Sequence, residues 1–269
     1  MESSGPRRLA VLGHPVGHSR SPAMQNAALE ALGLGGEWSY EAIDVAPDSF
    51  GDLVFSLPGA GFVGANVTVP HKGAALAVAD ELSEVAREIG AANTLAFEDG
   101  LIHAYNTDAA GLLAALPEPP GRRRALVLGA GGAARAVVWA LVREGAAVEV
   151  WNRTPLRSRN LCDELGGAPV EDPDASARDL IVNTTAVGLT GEDVFAELPL
   201  APGDLHEGQI VVDLVYGDAP STLLTVAAEA GAATVDGLEV LVRQGAESLR
   251  IWTGREPPIE AMREGAHRG

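Results

Sequence analysis

Amine side chains are nearly absent from this chain. Of its 19 basic residues, 18 are arginines and Lys72 is the single lysine. Arginine is effectively always charged, whereas a lysine amine can be tuned by its surroundings to exchange a proton. Cysteine is equally scarce. Cys162 alone excludes an internal disulfide framework, and its helical surroundings point to inert packing. Aromatics are 4% of residues, so aliphatic side chains and alanine must fill the interior of a chain that is 46% hydrophobic. No apolar run approaches the roughly 18 residues of a membrane span, and the first nine residues lack a signal-peptide apolar region. These absences make the cytoplasm the expected location and a membrane partner unexpected. Positive charge is also in deficit. A formal net charge of −18 argues against nucleic acid, whose phosphates need a basic face. A small anionic substrate stays possible, because local clusters can be positive inside an acidic shell.

What is present is an alternation of strand-like and helix-like segments, which predicts a parallel α/β architecture. The length of 269 residues suffices for one large domain or two modest ones. Strands are expected at 9–13, 38–45 and 62–69, with helices from about Pro22 and at 73–78 and 83–89. Residues 93–97 and 101–105 flank Glu98-Asp99-Gly100 as a hairpin. A helix at 109–116 runs into the Pro-rich stretch 117–121, read as a rigid linker. A second α/β series follows: strands at 125–128, 147–151, 180–183, 210–215 and near Thr234, and helices at 133–144, 156–165 and 222–230. The closing segments 238–252 and 259–263 are helical, and 188–209 reads as a long loop suited to a mobile cover.

One segment carries cofactor chemistry. Residues 125–128 form a buried-type strand that enters Gly129-Ala130-Gly131-Gly132-Ala133 and then a helix. Glycines let the backbone approach a pyrophosphate, and the helix N-terminus supplies free N–H groups and a positive dipole. The following strand ends in Asn152-Arg153-Thr154, with Arg157 one turn on and no acidic residue where a ribose 2′-hydroxyl would be bound. Two guanidinium groups suit a 2′-phosphate, so NADP(H) is favoured over NAD. Arg157 on a merely solvated helix face is the alternative.

Polar clusters follow the early strands: His18-Ser19-Arg20-Ser21-Pro22, Asn66-Val67-Thr68-Val69-Pro70-His71-Lys72, Ala92-Asn93-Thr94 and Asn106-Thr107-Asp108. Ser21 before Pro22 could be a helix N-cap, Asp108 could cap the next helix, and Asn93 could satisfy a turn. Ser19, with no such duty, is the better ligand candidate. Lys72, the single amine side chain, falls inside one of these clusters. Gln244 shares a helix stripe with Val240, Leu241, Ser248 and Ile251, either as a buried amide or as a cleft residue. His14 and His18 are four apart, but Pro15 and Gly17 make a helical metal pair improbable, and no metal is expected.

Taken together, these segments resemble the shikimate dehydrogenase family. The resemblance continues through Asn183-Thr184-Thr185, Asp213-Leu214-Val215-Tyr216 and Asp236-Gly237-Leu238 to Gln244 and Trp252-Thr253-Gly254, and covers essentially the whole chain. Ala109 stands where the family commonly has Gly, and Val240 where it commonly has Met; both touch packing. The resemblance implies substrate contacts from Ser19, Ser21, Thr68, Lys72, Asn93, Asp108, Tyr216 and Gln244, with Lys72 and Asp108 as the catalytic pair. It implies cofactor contacts from the glycine turn, Asn152, Arg153, Thr154, Arg157, Thr184 and Gly237. The expected plan is a substrate domain (1–107 plus 238–269) and a Rossmann-type NADP domain (108–237), with the active site in the cleft between them. The implied reaction is reduction of 3-dehydroshikimate to shikimate with NADPH. A dual-specificity quinate/shikimate enzyme is the alternative. A non-catalytic NADP sensor is disfavoured because Lys72 and Asp108 are both present, and methylenetetrahydrofolate dehydrogenase because it lacks the serine and Asn-Thr-Asp motifs. The sequence does not fix the oligomeric state; a homodimer is one expectation.

Overall fold

A computed structural model describes residues 5–269 and divides the chain into two compact units. The N-terminal stretch read above as lacking a signal-peptide apolar region lies partly outside the described residues. The first unit contains residues up to Gly111 together with Leu241–Gly269, the second Leu112–Val240.

The first unit opens with β1 (Arg7–Gly13), α1 (Ser21–Ala31), β2 (Trp38–Asp44) and α2 (Phe50–Ser56). It continues with β3 (Phe62–Val67), α3 (Ala74–Ala77), β4 (Glu81–Leu82), α4 (Glu84–Ile89), β5 (Thr94–Glu98), β6 (Leu101–Tyr105) and α5 (Asp108–Ala115). The strand order is β2-β1-β3-β5-β6-β4. Strand pairing is parallel among β2, β1 and β3, but β5 runs antiparallel to both β3 and β6. The sheet is therefore mixed, its antiparallel β5–β6 pair being the expected hairpin. The Asp99-Gly100 turn, with φ 53° and 79°, closes a two-residue hairpin that can only join antiparallel strands.

Side chains alternate across this sheet. Ala10, Leu12, Ala65 and Val67 join Phe50 and Val54 of α2 in one core, which sends the equally buried Leu9 and Val11 to the opposite face. The helix α2 escapes sequence patterning because Gly51 and nearby Pro47 and Pro58 mask it. It forms because burying Phe50 and Val54 contributes about 1.5–3 kcal/mol per side chain.

The second unit contains β7 (Arg124–Leu128), α6 (Gly132–Arg143), β8 (Ala147–Trp151), α7 (Pro155–Leu165), β9 (Ala168–Pro169), β10 (Leu180–Asn183), α8 (Val194–Glu197), β11 (Ile210–Asp213), α9 (Thr222–Glu229) and β12 (Ala233–Val235). Its six strands are all parallel, in the order β12-β11-β10-β7-β8-β9, the doubly wound dinucleotide-binding order. The central strands divide their residues between two cores. Ala125, Val127, Leu180 and Val182 face α6 and α7, while Leu126, Leu128, Ile181 and Val211 face α9.

Two expectations change here. The Pro-rich stretch 117–121 lies inside the second unit, pinned by buried Pro120 and by an Arg123–Glu118 ion pair of 2.6 Å. The segment 188–209 is not a structureless cover: Val194, Leu198, Leu200 and Leu205 are buried in the α9-side core.

The chain closes with α10 (Gly237–Thr253) and α11 (Ile259–Arg268). Gly265 of α11 lets that helix lie against Ala23 and Ala27 of α1, since a Cβ there would sit 2.7 Å from both. Near the end of α10, the Trp252 indole donates to the Leu95 carbonyl at 2.9 Å, passing over Gly64 where no Cβ would fit.

Candidate active site

In the first unit, parallel strands deliver their C-terminal loops to one edge, and cross-links hold those loops in place. Thr68 N–H donates to Leu12 O at 2.9 Å, His14 N–H to Val69 O at 3.0 Å, and Ala92 N–H to Lys72 O at 2.9 Å. On this frame Lys72 Nζ lies 2.6 Å from Asp108 Oδ2, with side chains only 13% and 17% exposed. The other Asp108 oxygen accepts from Asn93 Nδ2 at 3.0 Å.

Asp108 is the first residue of α5 but does not cap it. Asn106 does, its Oδ1 accepting from the Asp108 and Ala109 N–H groups at 3.1 and 3.4 Å. That leaves the Asp108 carboxylate to Lys72 and Asn93. These contacts place Asp108 in the first unit, and the division between units falls inside α5 rather than before it.

The serine loop reverses an expectation. Ser21 does not cap α1: it is the first helical residue, after Arg20, with Pro22 next. Ser19 takes the capping duty, its Oγ accepting the Ser21 N–H at 3.3 Å. The Ser21 hydroxyl is therefore without a partner among the described residues, although Ser21 is buried. The Thr68 hydroxyl is likewise unpartnered among them. His14, expected to hold no metal, pairs its Nδ1 with Asp44 Oδ1 at 2.7 Å, and Asp44 Oδ2 accepts the Val16 N–H at 3.2 Å. His14 beside it is the main cause that holds the Asp44 carboxyl below its ordinary value.

Asn93 is engaged inside the protein. Besides Asp108, its Nδ2 faces Thr107 Oγ1 and Gln244 Oε1, both at 2.9 Å, while its Oδ1 accepts the Thr107 N–H at 2.7 Å. Gln244 is engaged as well, its Nε2 donating to Leu241 O at 2.9 Å. Behind this layer Ser248, one turn after Gln244, lies 2.8 Å from Thr94 Oγ1 and accepts from Asn66 Nδ2 at 2.9 Å. Asn66 Oδ1 takes the Tyr40 hydroxyl at 2.8 Å. Sequence reasoning missed Tyr40, Asn66 and Ser248 as members of one buried network. The usable signal was a run of polar residues at positions whose neighbours are core.

The second unit builds its site where strand order reverses, between β7 and β10. Gly129 follows β7 with φ 109°, and a Cβ on it would lie 2.5 Å from Thr184 Oγ1 after β10. Thr184 donates its hydroxyl to Leu128 O at 2.7 Å, locking it beside the turn. Ala130 is half-buried and Gly131 exposed; a Cβ on Gly131 would meet open space. The helix α6 then starts at Gly132 and Ala133 with no side-chain cap, leaving first-turn N–H groups for an anion. These features fit a dinucleotide pyrophosphate.

At the end of β8, Asn152 Nδ2 donates to Thr154 O at 3.0 Å and shapes the turn into α7. Arg153, Thr154 and Arg157 are exposed, and among the described residues neither arginine is paired with a carboxylate. By contrast Arg135 of the glycine motif reaches Glu164 at 2.6 Å. Tyr216 is half-buried after β11. Gly237 is required because a Cβ there would lie 2.6 Å from Leu214 O. Asp213, wholly buried, has its carboxyl pushed up by burial, against hydrogen bonds from Ser221, Val215 and Asn183 that pull it down. Cys162 is buried in α7, and burial pushes its thiol up to about 11, consistent with inert packing.

Known proteins share this sequence and fold. Family models match in chain order: "Shikimate dehydrogenase substrate binding domain" over residues 11–95, "Shikimate / quinate 5-dehydrogenase" over 118–187, and "Shikimate 5'-dehydrogenase C-terminal domain" over 237–264. Shikimate dehydrogenase (NADP(+)) of Anaeromyxobacter sp. (strain Fw109-5) is 46% identical, across 94% of this chain and 92% of its own. The crystal structure of shikimate 5-dehydrogenase from Thermus thermophilus in complex with NADP(H) and shikimate matches with a TM-score of 0.89 at 44% identity, covering 97% of this chain and 98% of that one. Quinate dehydrogenase from Corynebacterium glutamicum in complex with NAD matches with a TM-score of 0.86 at 29% identity, covering 97% and 99%. With near-complete coverage at such identity, the chain belongs to the shikimate dehydrogenase family.

Proposed function

We propose that this chain reversibly reduces 3-dehydroshikimate to shikimate with NADPH, a step toward the aromatic amino acids. The observation that carries the reading is the 2.6 Å contact between its single lysine and Asp108 on a half-buried polar floor. Bound NADPH supplies a hydride for the carbonyl carbon. The residues of this chain must then bind the substrate and bring a proton to the carbonyl oxygen. Lys72 is the one side chain suited to donate it. Asp108 takes one of the three ammonium hydrogens, leaving others for the substrate oxygen. In the reverse direction the amine accepts the proton from the alcohol. Asp108 keeps Lys72 oriented, and Asn93 keeps Asp108 oriented.

The unpartnered Ser21 and Thr68 hydroxyls supply contacts for the substrate's carboxylate and hydroxyls, and Ser19 can still donate its own hydroxyl hydrogen. Asn93 and Gln244, held in place by their protein partners, are proposed as further substrate contacts. In the second unit the glycine turn from Gly129 to Ala133, with Thr184 and Gly237, holds the pyrophosphate and nicotinamide portions. Asn152, Arg153, Thr154 and Arg157 face the 2′-phosphate.

The test is absorbance at 340 nm with shikimate or quinate, each paired with NADP or NAD. Turnover should be greatest for shikimate with NADP. Equal turnover of quinate favours the dual-specificity alternative, and no turnover of either acid overturns the reading. A cytoplasmic location is part of this proposal, supported by the single cysteine. No helix among the described residues is long and apolar enough to cross a membrane.

A further inference from the structure

Asp213 ends β11 beside Asn183, its register partner at the end of β10, and is wholly buried. Nothing in the proposed hydride step uses it. A carboxylate in the interior is destabilising unless its lone pairs meet donors. Here Oδ1 accepts from Asn183 Nδ2 at 2.9 Å and from the Val215 N–H at 3.1 Å, while Oδ2 accepts from the Ser221 hydroxyl at 2.6 Å. An ionised carboxylate can only accept, so Asn183 must turn its NH2 toward Asp213 and its carbonyl away. That carbonyl then takes the Thr185 N–H at 3.0 Å and the Thr185 hydroxyl at 2.7 Å, and the same hydroxyl takes the Val187 N–H at 3.1 Å.

The two segments shaped in this way both touch glycines of the candidate cofactor site. Thr184 and Thr185 lie against Gly129, and the Leu214 and Val215 carbonyls lie against Gly237.

We propose that Asp213 is a positioning residue for the dinucleotide. Acting through Asn183 and the Val215 N–H, its carboxylate fixes segments 184–187 and 214–216 against Gly129 and Gly237, in the arrangement that accepts the cofactor. The proposal rests on the reading of the second unit as NADP-binding.

It is tested by calorimetric titration of the full chain with NADP+, with Tm measured for each variant. Asp213→Ala should weaken binding by about tenfold or more, the scale expected for losing hydrogen bonds to a charged group. Asp213→Asn keeps an acceptor for Asn183 and Val215 and can turn its NH2 to the Ser221 hydroxyl, so it should stay within about threefold of the parent. Asn183→Ala should reproduce the Asp213→Ala loss, and the double variant should bind no more weakly than either single one, because the two residues act as one unit. Leu200→Ala, a core truncation in the same unit, should lower Tm and leave Kd unchanged. Parental Kd in a folded Asp213→Ala overturns the proposal, as does Asp213→Asn binding as weakly as Asp213→Ala. Should Asp213→Ala not fold, Asn183→Ala decides: parental Kd there overturns the proposal as well. If the parent chain itself binds no NADP+, the cofactor reading fails instead.

Discussion

A lysine that donates a proton must carry it before the reaction and lie within reach of the oxygen it serves. The Lys72–Asp108 contact fixes where the amine sits. Replacing Lys72 with Ala should lower kcat by at least about 10²-fold with a much smaller change in shikimate affinity, the usual scale for a lost general acid–base group. Near-parental kcat in steady-state assays would remove Lys72 from proton transfer. The role proposed for Arg153 concerns a different property, the choice of cofactor. With no carboxylate partner among the described residues, its guanidinium is available to a 2′-phosphate. Arg153→Asp should raise KM for NADP while leaving that for NAD nearly unchanged; an unaltered preference shifts the role to Arg157 or Thr154. At this scale the polar clusters were legible in sequence, but the hydrogen bonds inside them were not. Ser19 and Ser21 exchange duties because the Ser-Pro pair lies inside the first turn of α1 rather than ahead of it, and Asn106 takes the cap that would have occupied Asp108. Such exchanges depend on backbone geometry, which residue type alone does not reveal.

Among the elements, the turn between β7 and α6 offers a paired test. Gly129→Ala forces an L side chain into φ 109° and against Thr184, so it should lose NADP affinity and about 1–3 kcal/mol of stability. Gly131→Ala has an ordinary φ of −93° and open space, so its fold should be unchanged. Any loss of NADP affinity in Gly131→Ala, read by titration beside a parental Tm, then reports the approach of the ligand. A second element-scale expectation concerns the start of the 188–209 segment, where Glu192 accepts from the Thr190 hydroxyl and from the Thr190 and Gly188 N–H groups. The Thr190 hydroxyl above all holds this exposed carboxyl at about 2. Because the folded value lies below the ordinary one, the clasp contributes above the usual carboxylate range and is lost as pH falls toward 2. A carboxyl ¹³C titration of Glu192 with its midpoint near an ordinary glutamate would show that the clasp does not form. The strongly patterned strands and helices were readable from sequence. The strands β4 and β9 were missed because two residues carry no periodicity, and α2 because its glycine and flanking prolines obscure a helix held by Phe50 and Val54.

For the molecule as a whole, shikimate should be turned over far better than quinate. Quinate carries an extra hydroxyl on the carbon that bears the carboxylate, and that carbon is tetrahedral. With this end placed against the Ser19 and Ser21 hydroxyls, quinate presents a differently angled carboxylate and an extra polar atom there. An unpaired buried hydroxyl costs about 1–3 kcal/mol, which corresponds to roughly tenfold or more in kcat/KM. Comparable kcat/KM values for the two acids with NADP at one pH would place the chain with dual-specificity enzymes. The two-unit plan was visible in the order of motifs, whereas the unit divisions fall inside α5 and α10, where tertiary packing rather than composition decides membership. The solitary lysine has one more consequence. Labelling lysine alone with ¹³C at the ε-carbon yields a single side-chain resonance in a protein of 269 residues, and that resonance belongs to the proposed proton donor. Its response to shikimate, to NADP+ and to the two together can be followed without assignment of any other atom.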